Sequence, residues 1–317
     1  VKNHYTTVDG VECRKPFVER IGVGLPYIAS LPKELYHPGL LDFVEITPES
    51  LCTQRRNGNL VSIDPVPSQV DAARQTCGSL PIVVHGVQLS IGSVQGWNEA
   101  YVNMLDEFQA FWPFLWHSEH LGFQTIPGED GAAMEIGVPL PLPATEEAVR
   151  VVSTRALALG ERYGIPFLLE NAAHYLPGLP LDPGIGDEGG LMRAITERGR
   201  CFQLLDLHNV YCNSVNHHTD AFAEIDRMPL NRVVELHVAG GSWRDGFYMD
   251  AHDGRVPEQV WELLDYTLQR TPNVAGVVFE VLDEYAENLG IEMIAGELTR
   301  ARMLWQQRNG TEALVTA

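Results

Sequence analysis

Short apolar runs in this chain end, one after another, on residues able to hold a metal ion. PIVVHG ends on His85, LWHSEH on Glu119 and His120, and PFLLEN on Glu170 and Asn171. CFQLLDLHN ends on Asp206, His208 and Asn209, VVELHVAG on His237, FYMDAHD on Asp250 and His252, and AGVVFEVLD on Glu280. A buried strand has no need of His, Glu or Asp, because an unpaired buried charge costs several kcal/mol even after relaxation. One such residue is incidental; a series on successive strands describes a site. The donors are imidazoles and carboxylates without a thiolate motif, which suits iron, manganese or zinc rather than copper(I) or an iron–sulfur cluster. Carboxylates so crowded raise one another's pKa unless cations separate them. The donors outnumber the needs of one ion, which favours two or three bridged by carboxylates.

The elements that must position these residues alternate. Ile21–Leu25, Phe43–Thr47, Ile82–His85, Leu115–His120, Phe167–Glu170, Phe202–His208, Val233–Val238 and Val277–Val281 read as strands, with helix-length segments between most of them. Thr145–Tyr163 is the clearest helix, with Thr145 as N-cap, Glu146 and Glu147 in the first turn and Gly164 closing it. Pro257–Gln269 and Ile291–Gln307 are two more. Strands alternating with helices predict an α/β chain, a (β/α)8 TIM barrel formed as one domain over residues 1–317 with short terminal extensions. In such a barrel every strand C-terminus opens on one face, where the βα loops shape the pocket. The Gly/Pro-rich stretches at Pro139–Pro143 and Leu176–Gly190 are expected among those loops.

Strand alternation sorts the donors further. In HSEH, His117 and Glu119 face one way and Ser118 and His120 the other. Glu119 is the expected inward ligand, with His120 behind it or as the alternative. Asp206 and His208 share a face of the predicted strand, Glu235 can orient His237, and the D-x-H spacing lets Asp250 and His252 reach one ion. Asn171 is expected against Glu170 or against substrate, and His174 with Tyr175 in the pocket. Arg244 and Asp245 contact substrate or form an exposed loop pair. His217 and His218 are expected toward solvent, and His4 and His37 have no supporting context.

Composition narrows the partners. Asp and Glu number 42 against 22 Lys and Arg, a net charge of −20, which argues against nucleic acid. No apolar stretch reaches the roughly 20 residues that span a bilayer, and the opening VKNHYTTVDGVECRKPF lacks the form of a secretory signal, so the cytoplasm is the expected location. The five cysteines are scattered without a C-x-x-C pair, supporting neither a zinc ribbon nor a disulfide framework. Cys212 stands beside the LLDLHN motif. IGVGLP is too short for a dinucleotide fingerprint, and no Walker loop is present.

Taken together, GVGLPY, DFVEITPES, VVHGVQLSIGS, HSEHLGF, LPLPATEEA, LLEN, LLDLHNVYCNSVNHH, LHVAGG, DAHDGRVPEQVW and VFEVLDE resemble the multinuclear non-heme iron-dependent oxidative enzymes, in order from about Ile21 to about Leu289. The resemblance implies a (β/α)8 barrel holding two or three iron ions, with dioxygen as co-substrate and a ribosomally made precursor peptide as substrate. Some members work with a peptide-presenting partner protein. The strand-end residues themselves give the expected metal ligands, His85, Glu119, Glu170, Asp206, His208, His237, Asp250, His252 and Glu280, with Glu119, Asp206 and His252 as the catalytic candidates. Asn171, Asn209, His174 and Arg244 are the expected substrate contacts. A wider likeness extends to endonuclease IV and xylose isomerase-type barrels. Three positions depart from the family pattern: Thr47 and Gly241 stand where His is usual, and His208 where Asn is usual. The rival expectations are a metal-dependent hydrolase or isomerase and a peptide-binding barrel without activity.

Overall fold

The computed structural model describes residues 5–8, 11–14, 18–57, 60–128, 133–175 and 178–315. The strands β1 (Gly22–Pro26), β2 (Phe43–Ile46), β3 (Ile82–Gly86), β4 (His117–His120), β5 (Phe167–Glu170), β6 (Phe202–Asp206), β7 (Val233–Val238) and β8 (Gly276–Phe279) pair in parallel in sequence order. Gly276 and Val277 of β8 face Gly22 and Val23 of β1, and that last ladder closes the barrel. The expected (β/α)8 architecture is the one observed.

Helices α1 (Pro67–Cys77), α2 (Glu99–Phe111), α3 (Glu146–Tyr163), α4 (Glu188–Gly199), α5 (Leu207–His217), α6 (Ala221–Arg227), α7 (Glu258–Leu268), α8 (Asp283–Leu289) and α9 (Ile291–Val315) complete the principal elements. With helices packed on their outer face, the strands are buried on both sides and need no polar alternation. Helix α3 forms as read: the Thr145 side chain accepts from the Ala148 N–H, and Gly164 ends it at φ 65°. Strand β6 stops at Asp206 instead of His208 because the Asp206 carboxylate accepts the Asn209 N–H and caps α5.

Two layers fill the barrel. At the bottom Phe43, Val83, Trp116, Leu168, Leu204, Val234, Ala275 and Val278 form an apolar plug. Phe43 fits because Gly24 and Gly276 carry no side chains: a Cβ on either would stand 2.6 or 2.8 Å from its ring. Two residues further along each strand the inner face turns polar, at Glu45, His85, Ser118, Glu170, Asp206 and Glu280. In β7 the register shifts opposite Gln203 and Leu204, so Val234 joins the plug while Glu235 and His237 share the polar layer.

Hairpins Cys52–Asn57/Leu60–Pro65, Gly122–Pro127/Ala133–Pro141 and Ser242–Arg244/Phe247–Met249 follow β2, β4 and β7 at the C-terminal mouth. None was read from the sequence. A further hairpin, Tyr5–Val8/Val11–Arg14, lies in the expected N-terminal extension. His4 and part of the expected 176–190 loop lie outside the described residues. Among the described residues no helix is long and apolar enough to cross a membrane.

The plug supports the polar layer, so emptying it should be costly. Phe43→Ala is expected to destabilise the chain by about 3–5 kcal/mol in chemical denaturation, the range for removing a buried aromatic. A loss under about 1 kcal/mol would show that the plug repacks.

Candidate metal centre

The ends of β2–β8 bring the donors together. His85, His120 and Glu170 form one group, Glu170, Asp206, His237 and Glu280 a second, and His208, Asp250 and His252 a third. Glu170 Oε2 lies 2.9 Å from His120 Nδ1 and 3.4 Å from His85 Nε2. His237 Nδ1 is 3.1 Å from Glu280 Oε2 and 3.9 Å from Asp206 Oδ2. Asp250 Oδ1 stands 2.7 Å from both His208 Nδ1 and His252 Nε2, and His252 Nδ1 is 3.6 Å from Glu280 Oε1. Glu170 joins the first two groups and Glu280 links the second to the third.

Of these contacts, His208–Asp250 and His237–Glu280 have hydrogen-bond geometry, and the others leave atoms unsatisfied. His85 Nε2, Glu170 Oε2, Asp206 Oδ2 and both His252 ring nitrogens are buried with no hydrogen bond of acceptable geometry. Buried polar atoms are normally paired, and donor atoms converging with unmet hydrogen bonds fit a cation. Imidazole and carboxylate oxygen suit iron, manganese or zinc.

The titration pattern agrees. Burial opposes charge on His85, His120, His237 and His252, and it keeps His85 below its ordinary value. At His120 burial is outweighed by Glu170, and the group rises to about 9; at His252 it is outweighed by Asp250 and Glu280, and the group rises to about 10. Burial is likewise overcome at His237, chiefly by Glu45 and Glu280. Burial, then Glu170 and Asp250, lifts Asp206 well above the carboxylate range. Without a cation the centre therefore holds protons at His120, His237 and His252. An entering ion displaces them, so loading strengthens as pH rises toward 9–10.

Beneath the centre Glu45 and Glu235 form a fourth group with His237. Glu45 Oε2 is 3.0 Å from His237 Nε2, and Trp116 Nε1 donates to Glu235 Oε2 at 2.7 Å. With Nδ1 facing Asp206 and Glu280, Nε2–H donates to Glu45, which fixes the ring's tautomer and orientation. Glu45 escaped the sequence reading because it sits inside FVEI, where nothing but its charge marks it.

Several expected residues are placed differently. Trp116 belongs to the interior plug, so strand parity turns Ser118 and His120 inward and sends Glu119 out. Glu119 lies behind the barrel, its Oε1 3.0 Å from His117 Nε2, and belongs to none of the donor groups; His120 occupies the inward position expected of it. His208 is on the first turn of α5, not on a strand face with Asp206, and meets Asp250 and His252 instead. Asn171 is fully buried and clamps the adjacent strand: it donates to the Asp206 carbonyl and accepts the Asp206 N–H, both at 2.9 Å. Asn209 donates to Glu170 Oε1 at 3.2 Å and so orients a candidate ligand. Ser118 does the same for His85, at 3.0 Å from Nδ1. His174 stacks on His217, ring centroids 4.7 Å apart, beside a cavity of about 360 Å³, so His217 is not a free solvent residue. Arg244 is exposed and tied to Asp253 and Tyr285.

The departures at Gly241 and His208 touch each other. A Cβ on Gly241 would stand 2.9 Å from His208 Cε1 and 2.1 Å from the Met249 carbonyl. The imidazole supplied by α5 thus occupies space that only glycine leaves open, with Cys212 Sγ packed 3.8 Å from the ring. Thr47 begins the 3-10 turn Pro48–Leu51, and its side chain makes no capping bond. Gly241→Ala should displace His208 and weaken metal retention in its group by roughly 10–100-fold, the range for disturbed ligand support, read by metal content against a competing chelator. Unchanged retention would show that His208 does not ligate.

Outside the barrel, Glu119, His117, Tyr101 and Glu49 form a buried polar set. Tyr101 Oη lies 3.2 Å from His117 Nε2, and Glu49 Oε1 accepts from Val87 N and Gln88 N, holding the chain just past His85. Burial first, then Glu119, pushes Glu49 from 4.5 up to about 7. Because the folded state holds this proton more tightly, its contribution to stability is full below 4.5 and is lost as pH rises through 7. Relative to the parent, Glu49→Gln should gain Tm steadily between pH 4.5 and 7. A difference independent of pH contradicts the assignment.

Fold and donors define the class: a (β/α)8 barrel with a candidate multinuclear metal centre at its mouth. The chain belongs to the family described as RiPP precursor modification enzyme MbnB/TglH/ChrH, whose profile matches residues 21–305; it is an enzyme acting on a peptide. A UPF0276 protein of Acinetobacter baylyi is 29% identical over 300 residues, covering 93% of this chain and 94% of its own. A UPF0276 protein of Anaeromyxobacter sp. is 33% identical over 199 residues, covering 63% of this chain and 68% of its own. Among solved structures, the IOLI protein with a bound zinc atom covers 90% of this chain and 97% of its own at 12% identity and TM-score 0.48. D-allulose 3-epimerase from Methylomonas sp. covers 92% and 98% at 13% identity and TM-score 0.45.

Proposed function

We propose that the chain is an iron-dependent, dioxygen-using enzyme that oxidatively modifies a side chain of a ribosomally made precursor peptide. The observation that carries this reading is the convergence of unsatisfied imidazole and carboxylate atoms at the barrel mouth of a chain in a peptide-modifying family. Two or three iron ions, when bound, would supply dioxygen activation and polarise the substrate heteroatom.

The chain's own residues do the rest. His85, His120 and Glu170 would hold one ion, Asp206, His237 and Glu280 a second with Glu170 shared, and His208, Asp250 and His252 a third. Side-chain exposure persists at His120 (26%), Asp250 (20%) and Glu280 (13%), while His85, Glu170, Asp206 and His237 are sealed. Substrate therefore approaches past the first three, and the closed side excludes water from the reacting groups. His252, between Asp250 and Glu280, would ligate through one ring nitrogen and is the proposed proton carrier through the other, with Asp206 as the interior carboxyl group of the adjoining donor group. Asn209, Ser118 and Glu45 keep Glu170, His85 and His237 in position.

The test is anaerobic iron loading followed by oxygen and a precursor peptide encoded beside this chain's gene. An oxygen-dependent change in peptide mass is expected, and Glu45→Gln should weaken iron retention about 10–100-fold. Full iron occupancy with no mass change contradicts the oxidative reading, and metal-dependent turnover without oxygen supports a hydrolase or isomerase instead.

A further inference from the structure

A second recess opens on the same face, on the β3–β4 side of the centre. It is a groove of about 440 Å³ between the hairpin Cys52–Asn57/Leu60–Pro65 and the hairpin Gly122–Pro127/Ala133–Pro141. Five carboxamides line it: Asn98, whose Oδ1 accepts from Tyr101 N, and Gln54, Gln88, Gln95 and Gln124, whose side chains have no hydrogen-bond partner among the described residues. The one charged lining residue, Glu99, is engaged by Trp97 Nε1 at 2.6 Å. In a chain where 20% of residues are charged, a groove with a single carboxylate and several unpaired amides favours a largely neutral ligand rich in both donors and acceptors.

Each carboxamide offers two donors and an acceptor carbonyl, the complement of a peptide unit's C=O and N–H. The far wall is also suited to a strand. The ladder between Gly122–Pro127 and Ala133–Pro141 shifts register between Glu135 and Leu140, leaving residues 136–139 without a facing partner. Gly137 of that stretch lines the groove, with φ 88°. An extended chain laid there meets side-chain amides on one side and, at Gly137, backbone outside the ladder on the other.

We propose that this groove binds an extended peptide segment through its main-chain amides, as the track that leads substrate to the metal centre. The proposal rests on the peptide-modifying reading above and deepens it. Gln88 lies three residues beyond His85 and Gln124 four beyond His120, spans of at most roughly 14 Å of chain. A peptide leaving the groove therefore arrives at the His85–His120 edge, where His120 keeps its exposure. Glu49, bonded to Val87 N and Gln88 N, holds the groove floor and the His85 strand end together.

The experiment uses the full chain free of metal, with chelator present, and a displayed pool of short random-sequence peptides as probe. Enriched peptides should lose affinity about tenfold or more for the Gln88→Leu/Gln124→Leu double variant. They should bind normally to Gln69→Leu, an exposed position on α1 outside the groove. N-methylation at alternate backbone amides should also abolish binding. Absence of enriched peptides, equal binding to the double variant, tolerance of N-methylation, or displacement by a neutral oligosaccharide such as maltoheptaose would each overturn the proposal. Because the assay reads binding without metal or turnover, such failure leaves the oxidative reading standing. Conversely, absence of peptide oxidation by iron-loaded enzyme, with groove binding intact, counts against that reading alone.

Discussion

Everything at the mouth of this barrel follows from burying carboxylates beside imidazoles with too few hydrogen bonds to satisfy them. Glu170, Asp206 and His237 are essentially sealed from solvent, and atoms of Glu170 and Asp206 have no properly oriented donor. Such burial costs several kcal/mol per charge unless an opposite charge compensates. Protons on His120, His237 and His252 provide part of that compensation, and a multivalent cation provides it in the same space. The polar layer is thus stable in two forms, protonated or metallated, and the exchange between them links metal loading to pH.

Strand parity turns this electrostatic demand into a geometry. The plug of Phe43, Trp116, Leu168 and Leu204 sets which residues face inward, and the residues two positions later become donors. Parity failed in one strand of the sequence reading: HSEH carries a donor on both faces, and only the inward Trp116 decides between Glu119 and His120. The shifted register in β7 lets Val234 fill the plug while Glu235 and His237 still point inward. A sealed floor and an open mouth result, with groups that orient the ligands placed between them.

What could be read from the chain was the barrel and most of the donor set, since His85, Glu170, Asp206, His237 and Glu280 each end an apolar run and the D-x-H pair stands out in its loop. The capping of α5 by Asp206 was hidden because LLDLHN reads equally as a longer strand, which misplaced His208. Glu45 was concealed in an apolar segment, and the mouth hairpins are short or irregular in sequence, with no strong alternation. The tie between Gly241 and His208 is a contact between a loop and a helix, visible only in three dimensions. Local pattern located the donors; the plug, the cap and the register shift decided where they point.

Anomalous diffraction at the iron absorption edge, from crystals of anaerobically iron-loaded protein, addresses the centre directly. The expected map shows peaks within the His85–His120–Glu170 group, among Asp206, His237 and Glu280, and within the His208–Asp250–His252 group. Iron bound only away from these side chains, or none retained while the fold is intact, would contradict the assignment of this layer as a multinuclear metal centre.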